Sequence, residues 1–177
     1  MSKNQLPYYK ALIDEILSLS DMNGFKAVAY ERGSNRYKSQ DEMIYSLYYQ
    51  HVHHGIEHEV NSGRITLPRG VNFWKDKEDG NDRLFLSELE QHLITGFETY
   101  FKDQLDLDIF SPIDSFTSIF IQLADLYTGS ISRVLNTQTG QPKNHKDEFA
   151  EYVFESFKLD LTKIEDQAHD MAIIHFL

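Results

Sequence analysis

The chain is 177 residues long, which fits one domain with a proper core, and its 41% hydrophobic and 13% aromatic content is that of a folded protein. It has no cysteine, which excludes disulfides, thiolate zinc centres and a cysteine nucleophile. The net charge of −11 argues against a sequence-independent grip on a nucleic-acid duplex. MSKNQLPYYK has no apolar leader core and no apolar run has bilayer length, so the cytoplasm is the expected compartment and no membrane partner is expected.

In chain order, Pro7 opens a first helix, made amphipathic by Leu12, Ile13, Ile16 and Leu17, with Gly24 beyond its end. Phe25 to Tyr30 reads as a strand. Ser39-Gln40-Asp41-Glu42 is a capping box that opens a long helix running to about Asn61, stopped by Gly63. Ile65 to Trp74 reads as extended, its first half broken by Pro68 and Gly70, and Lys75 to Asp82 as a charged turn. A helix is expected from Arg83 to about Asp103, with Leu89, Leu93, Phe97, Tyr100 and Phe101 inward. Leu105-Asp106-Leu107-Asp108-Ile109 alternates strictly, as a half-buried strand does. Pro112 to Ser115 turns into a helix whose expected core stripe is Phe116, Ile119, Phe120, Leu123, Tyr127, Ile131 and Val134.

Thr137 to Lys146 reads as a loop. An acidic helix follows, with Phe149, Tyr152, Val153 and Phe157 on one face, and MAIIHFL reads as a last strand. Without a repeat or an interdomain linker, 1–177 reads as a single domain, and helices alternating with strands indicate an α/β fold. Residues 147–170 carry eight acids against Lys158 and Lys163, and residues 24–38 carry Lys26, Arg32, Arg36 and Lys38 against Glu31. Taken alone, each is an ordinary solvated face.

The segment Ile119-Phe120-Ile121-Gln122-Leu123-Ala124-Asp125-Leu126-Tyr127-Thr128-Gly129 concentrates the functional signal. It reads as a helix apolar on nearly every side, with the carboxylate of Asp125 in its middle. A buried charge needs a cation, a hydrogen-bonding shell or a proton. Gln122 and Gly129 lie one turn away on the same face, and Gly129 would let another group approach closely. Asp114 ends the strand that feeds this helix, and Asp76 ends another. Three carboxylates from two strand ends and a helix suit one or two Mg²⁺ or Mn²⁺ ions, which prefer oxygen ligands and can clamp a phosphodiester. The competing reading is that Asp114 caps its helix and Asp125 accepts backbone N–H bonds.

Asp114-Ser115, then Ile121-Gln122-Leu123-Ala124-Asp125-Leu126, Gly129 and Arg133, resembles the C-terminal signature of an uncharacterised bacterial family, domain of unknown function 3800. Val71 to Asp76 is similar to the acid-ending strand that precedes it in that family, with Glu78 and Asp79 close enough to compete for the match. The resemblance covers roughly residues 25–135, leaving an acidic helical extension over about 144–177. It implies a ribonuclease-H-like mixed sheet flanked by helices and a metal-dependent nuclease-like centre with Asp76, Asp114 and Asp125 as metal ligands and catalytic residues. Nucleic acid is then the implied substrate, and Lys26, Arg32, Arg36 and Lys38 are candidate backbone contacts. The family's opening D-E-S-G strand does not occur in this sequence. Either the chain is a fragment, or a partner supplies the missing hairpin, or the site has decayed. An unpaired strand edge would invite a protein partner or a second copy, so a non-catalytic interaction subunit is the alternative function.

A second candidate lies in His51-Val52-His53-His54-Gly55-Ile56-Glu57-His58, which contains the H-x-x-E-H pattern of inverted zinc peptidases. In that reading His54 and His58 bind zinc and Glu57 is the base. Gly55 inside a rigid metal helix and the small size of the chain weigh against a peptidase. The plainer reading is a helix face whose histidines titrate near neutrality. No phosphate-binding glycine loop or nucleophile elbow is present.

Overall fold

The computed structural model describes residues 2–31, 36–77, 82–137, 142–159, 161 and 171–177. The protein is mixed α/β, with five α-helices and four strands among the described residues: α1 (Leu6–Ser18), β1 (Phe25–Ala29), α2 (Gln40–Asn61), β2 (Arg69–Asp76), α3 (Asp82–Phe101), β3 (Leu105–Ile113), α4 (Ile119–Asn136), α5 (His145–Ser156) and β4 (Ala172–Phe176). The strands form two separate two-stranded ladders, β1 with β4 and β2 with β3. No helix among the described residues is long and apolar enough to cross a membrane. The chain divides into two compact units, the first comprising Met1–Ala27 and Leu123–Phe176, the second Val28–Gln122 with Leu177.

In the second unit, α2 begins where Ser39 accepts the Glu42 N–H at 3.1 Å. Glu42 returns the favour one residue further out than a capping box requires, accepting the Lys38 N–H at 2.8 Å. The helix ends before Gly63, whose φ of +74° is the left-handed conformation glycine adopts without strain. Val52 of α2, Leu89, Leu93 and Phe97 of α3 and Leu105 of β3 form the core. Gly96 is buried where α3 meets Tyr49 of α2. Tyr100, expected inward, is 62% exposed.

β2 and β3 pair in parallel, from Arg69 opposite Leu105 to Asp76 opposite Ile113. The register slips between Val71 and Asn72, so that Asn72 pairs with Ile109 and Asp108 is the extra residue. This bulge overrides the alternation read from the sequence. Leu105, Leu107 and Phe110 pack on the core, where Phe110 stacks on Phe73 at 5.0 Å, while Ile109 turns outward and is 44% exposed. Gly70 makes room for the bulge, because a Cβ there would lie 2.0 Å from the Asp108 carboxylate. β3 also runs through Pro112, where a turn was predicted. A two-stranded sheet consists of edges, and an edge strand tolerates a residue without an N–H. Lys75, predicted in a charged turn, is a buried strand residue.

In the first unit, α1 packs on α5. Ile13, Phe149, Val153, Phe157 and Ile174 supply much of its core. Phe25, Tyr127 and Phe157 form an aromatic cluster with centroids 4.2 to 5.8 Å apart. Burial pushes the Tyr127 hydroxyl up to about 12. Asn144 and Asp147 form a reciprocal capping box at the start of α5, and the Asp147 carboxylate also pairs with Arg133. Part of the acidic extension is therefore structural: Glu148 pairs with Lys10 at 2.7 Å, and Glu151 pairs with Lys143.

Candidate functional site

The sequence-predicted acids are placed unequally. Asp76 and Asp114 both belong to the second unit and close the two strands of one parallel ladder. Asp76 pairs in register with Ile113, so Asp114 follows one step later, and the Lys77 N–H donates to the Ile113 carbonyl at 3.0 Å. Asp76 is half-buried and Asp114 exposed. Parallel strand ends bring loop residues together in this way. Beside Asp76, the buried Lys75 ammonium donates to the Asp76 carbonyl at 3.0 Å and lies 5.9 Å from the Tyr48 ring.

Asp114 performs the capping role that competed with metal binding. Its Oδ1 accepts the Phe116 N–H at 2.9 Å and starts a short 3-10 turn over Ser115–Thr117. Gln122 is engaged as well, donating its side-chain amide to the Ser115 carbonyl at 2.9 Å.

Asp125 belongs to the first unit and is exposed. The expectation of a buried charge is corrected by the helix geometry. Within that unit α4 turns Tyr127, Ser130 and Ile131 inward, with Leu123 and Val134 half-buried. Asp125 is two residues from both Leu123 and Tyr127, which places it across the helix from them. Gly129 shares its exposed side, and a Cβ there would meet nothing within 4 Å. The close approach read from Gly129 is therefore absent among the described residues. The expected stripe also fails at its start, where Phe116 is 93%, Ile119 54% and Phe120 61% exposed.

In the basic segment, Arg36 and Lys38 are exposed and Lys26 is half-buried. Lys26 donates to the Met171 carbonyl at 3.1 Å, and Arg36 lies 5.8 Å from the Tyr37 ring. Lys38 engages Glu42 through its backbone. Arg32, Glu78 and Asp79 lie outside the described residues.

The histidine-rich part of α2 brings a different trio together from the one its motif suggests. Ligand atoms of His53, His54 and Glu57 all lie within 4.8 Å of one another, and His54 Nδ1 is 3.2 Å from Glu57 Oε2. His58 is not part of this group. The His53 ring lies 4.5 Å from Tyr100, 5.8 Å from Phe101 and 5.9 Å from Tyr49, to which it is nearly parallel. Its Nδ1 is buried and has no hydrogen-bond partner among the described residues. Burial holds the His53 imidazole below the ordinary histidine value of 6.5, which favours its neutral form. The regrouping was available from spacing alone, since Glu57 stands one turn from both His53 and His54.

Compared with protein-family models, with curated proteins and with solved structures, the chain matches none.

Proposed function

We infer that the protein is a nuclease-like domain on a ribonuclease-H-like plan, cleaving phosphodiesters with a divalent cation. The observation that supports this reading is the arrival of Asp76 and Asp114 at adjacent ends of two parallel strands, one register step apart. Carboxylate oxygens are the donors that Mg²⁺ and Mn²⁺ prefer, so this pair fits the implied ion. When bound, such an ion supplies Lewis-acid polarisation of a phosphoryl oxygen and an activated water. Asp76 would hold it from the strand end, whose backbone Lys75 pins through the Asp76 carbonyl. Asp114 would hold it with Oδ2, while the bond from the Phe116 amide to Oδ1 fixes the carboxyl orientation. Asp125 belongs to the first unit.

The test is hydrolysis of bis(p-nitrophenyl) phosphate and of single-stranded oligonucleotides, with Mg²⁺, Mn²⁺ or a chelator. Turnover that needs the metal and disappears in Asp76→Asn and Asp114→Asn is expected. Equal turnover in wild type and both variants would rule the pair out.

The second reading is a non-catalytic interaction subunit. It is favoured by the apolar side chains that the second unit leaves exposed: Trp74 and Ile109 on the ladder, and Phe116, Ile119 and Phe120 after it. Light scattering after size exclusion separates the two readings: a chain that is monomeric at every concentration argues against self-association through this surface.

A further inference from the structure

We propose that His53, His54 and Glu57 form a second metal site, of the Zn²⁺ class, with one coordination position open to an anionic oxygen ligand. This site is independent of the carboxylate pair and would exist whether or not that pair binds an ion.

The ligand types are right for the ion. Zn²⁺ takes imidazole nitrogen and carboxylate oxygen at about 2.0–2.2 Å, and three protein ligands with a vacant fourth position are typical of its reactive sites. The three side chains leave a single stretch of α2 at positions i, i+1 and i+4, so all lie within one turn. Their ligand atoms already lie within 4.8 Å of one another.

The surroundings supply an independent reason. His53 Nδ1 is enclosed without a hydrogen-bond partner among the described residues, and an unsatisfied buried polar atom costs about 1–3 kcal/mol. Tyr49, nearly parallel to the ring, and the tilted rings of Tyr100 and Phe101 flank it. Native structures keep such an orphan where it has a use, and a metal ion is one such use. Glu57, 3.2 Å from His54, adds to the imidazole nitrogens the negative charge that a divalent cation attracts.

The identity of the fourth ligand follows from the adjoining cleft. A cavity of about 300 Å³ is lined by His53 and Glu57 together with Tyr100, Lys102 and Gln104. Lys102 brings a cation and Gln104 an amide to the same space. A carboxylate or phosphate oxygen would find a metal on one side and an ammonium on the other. Because His58 lies outside the trio, this is not the arrangement of the H-x-x-E-H peptidases.

The experiment is a Zn²⁺ titration of the tag-free chain against a chromophoric chelator, repeated with inorganic phosphate present. One Zn²⁺ per chain is expected, and phosphate is expected to tighten binding in wild type but not in Lys102→Ala. Glu57→Gln and His54→Gln should each weaken binding beyond the roughly 10–100-fold that loss of a merely supporting contact causes. His58→Gln should bind as wild type does. Glu57 and Lys102 are exposed, so these variants should fold, and circular dichroism verifies it. Absence of stoichiometric Zn²⁺, or a loss in His58→Gln as large as in His54→Gln, would overturn the site. Phosphate without effect in wild type would overturn the anionic fourth ligand.

Discussion

Replacing Gly96 by alanine tests the packing of α3 on α2, and with it the rings that flank His53. In an open helix this change stabilises by about 0.8–1.0 kcal/mol, because glycine loses more backbone freedom than alanine. Here the new Cβ would stand 2.5 Å from the Tyr49 hydroxyl oxygen and 3.3 Å from its Cε2 and Cζ. Ordinary contact begins at 3.4 Å, so the hydroxyl must retreat by about 0.9 Å. The Tyr49 ring is stacked against His53, and overpacking of this kind costs about 1–3 kcal/mol. Gly96→Ala should therefore destabilise the second unit by about 0–2 kcal/mol. In a Tyr49→Phe background the oxygen is gone and the remaining contacts need move only about 0.1 Å, so the same change should stabilise by up to about 1 kcal/mol. Urea unfolding followed by Trp74, the only tryptophan and a residue of β2, reads this unit directly. The double-mutant cycle should give a coupling of about 1–3 kcal/mol. Gly96→Ala stabilising both backgrounds equally would refute the placement of Tyr49 over Gly96.

Further outcomes follow from burial and charge. Phe97→Ala empties a fully buried position and should cost about 3–5 kcal/mol, whereas Phe116→Ala, at a site 93% exposed, should change unfolding by less than about 0.5 kcal/mol while weakening any self-association seen by light scattering. The hydrogen bond from Arg133 and that from the Asn144 amide hold the Asp147 carboxyl below its ordinary value of 3.8. Its stabilisation is therefore complete above that pH and is lost as the pH falls through the lowered value. Thermal unfolding from pH 6 to pH 2 should show a smaller acid-induced loss in Asp147→Asn than in wild type, and parallel curves would contradict the pairing.

The elements with strong local signals were legible in the sequence. Ser39 with Glu42, Gly63, and the alternation of Phe25 to Tyr30 mark α2 and β1 because caps and periodicity act within a few residues. The placement of Asp76 and Asp114 at strand ends was legible for the same reason. What failed depends on partners distant in sequence. The bulge at Asp108 arises from register against β2 and the space above Gly70, and it moves Phe110 inward in place of Ile109. Asp125 appears buried when apolar neighbours are counted, yet the face α4 buries is chosen by Tyr127 and Ile131 on the opposite side. In α2 the histidine motif directed attention to His58, while the aromatic rings that flank His53 come partly from Tyr100 and Phe101, more than forty residues later in the chain.

Manganese binding, followed through the free-ion electron paramagnetic resonance signal, tests the carboxylate pair most directly. Wild type should remove Mn²⁺ from solution. Asp76→Asn and Asp114→Asn should lose that binding, and Asp106→Asn, at the opposite end of β3, should keep it. Binding that persists undiminished in both Asp76→Asn and Asp114→Asn would contradict a metal centre at these strand ends.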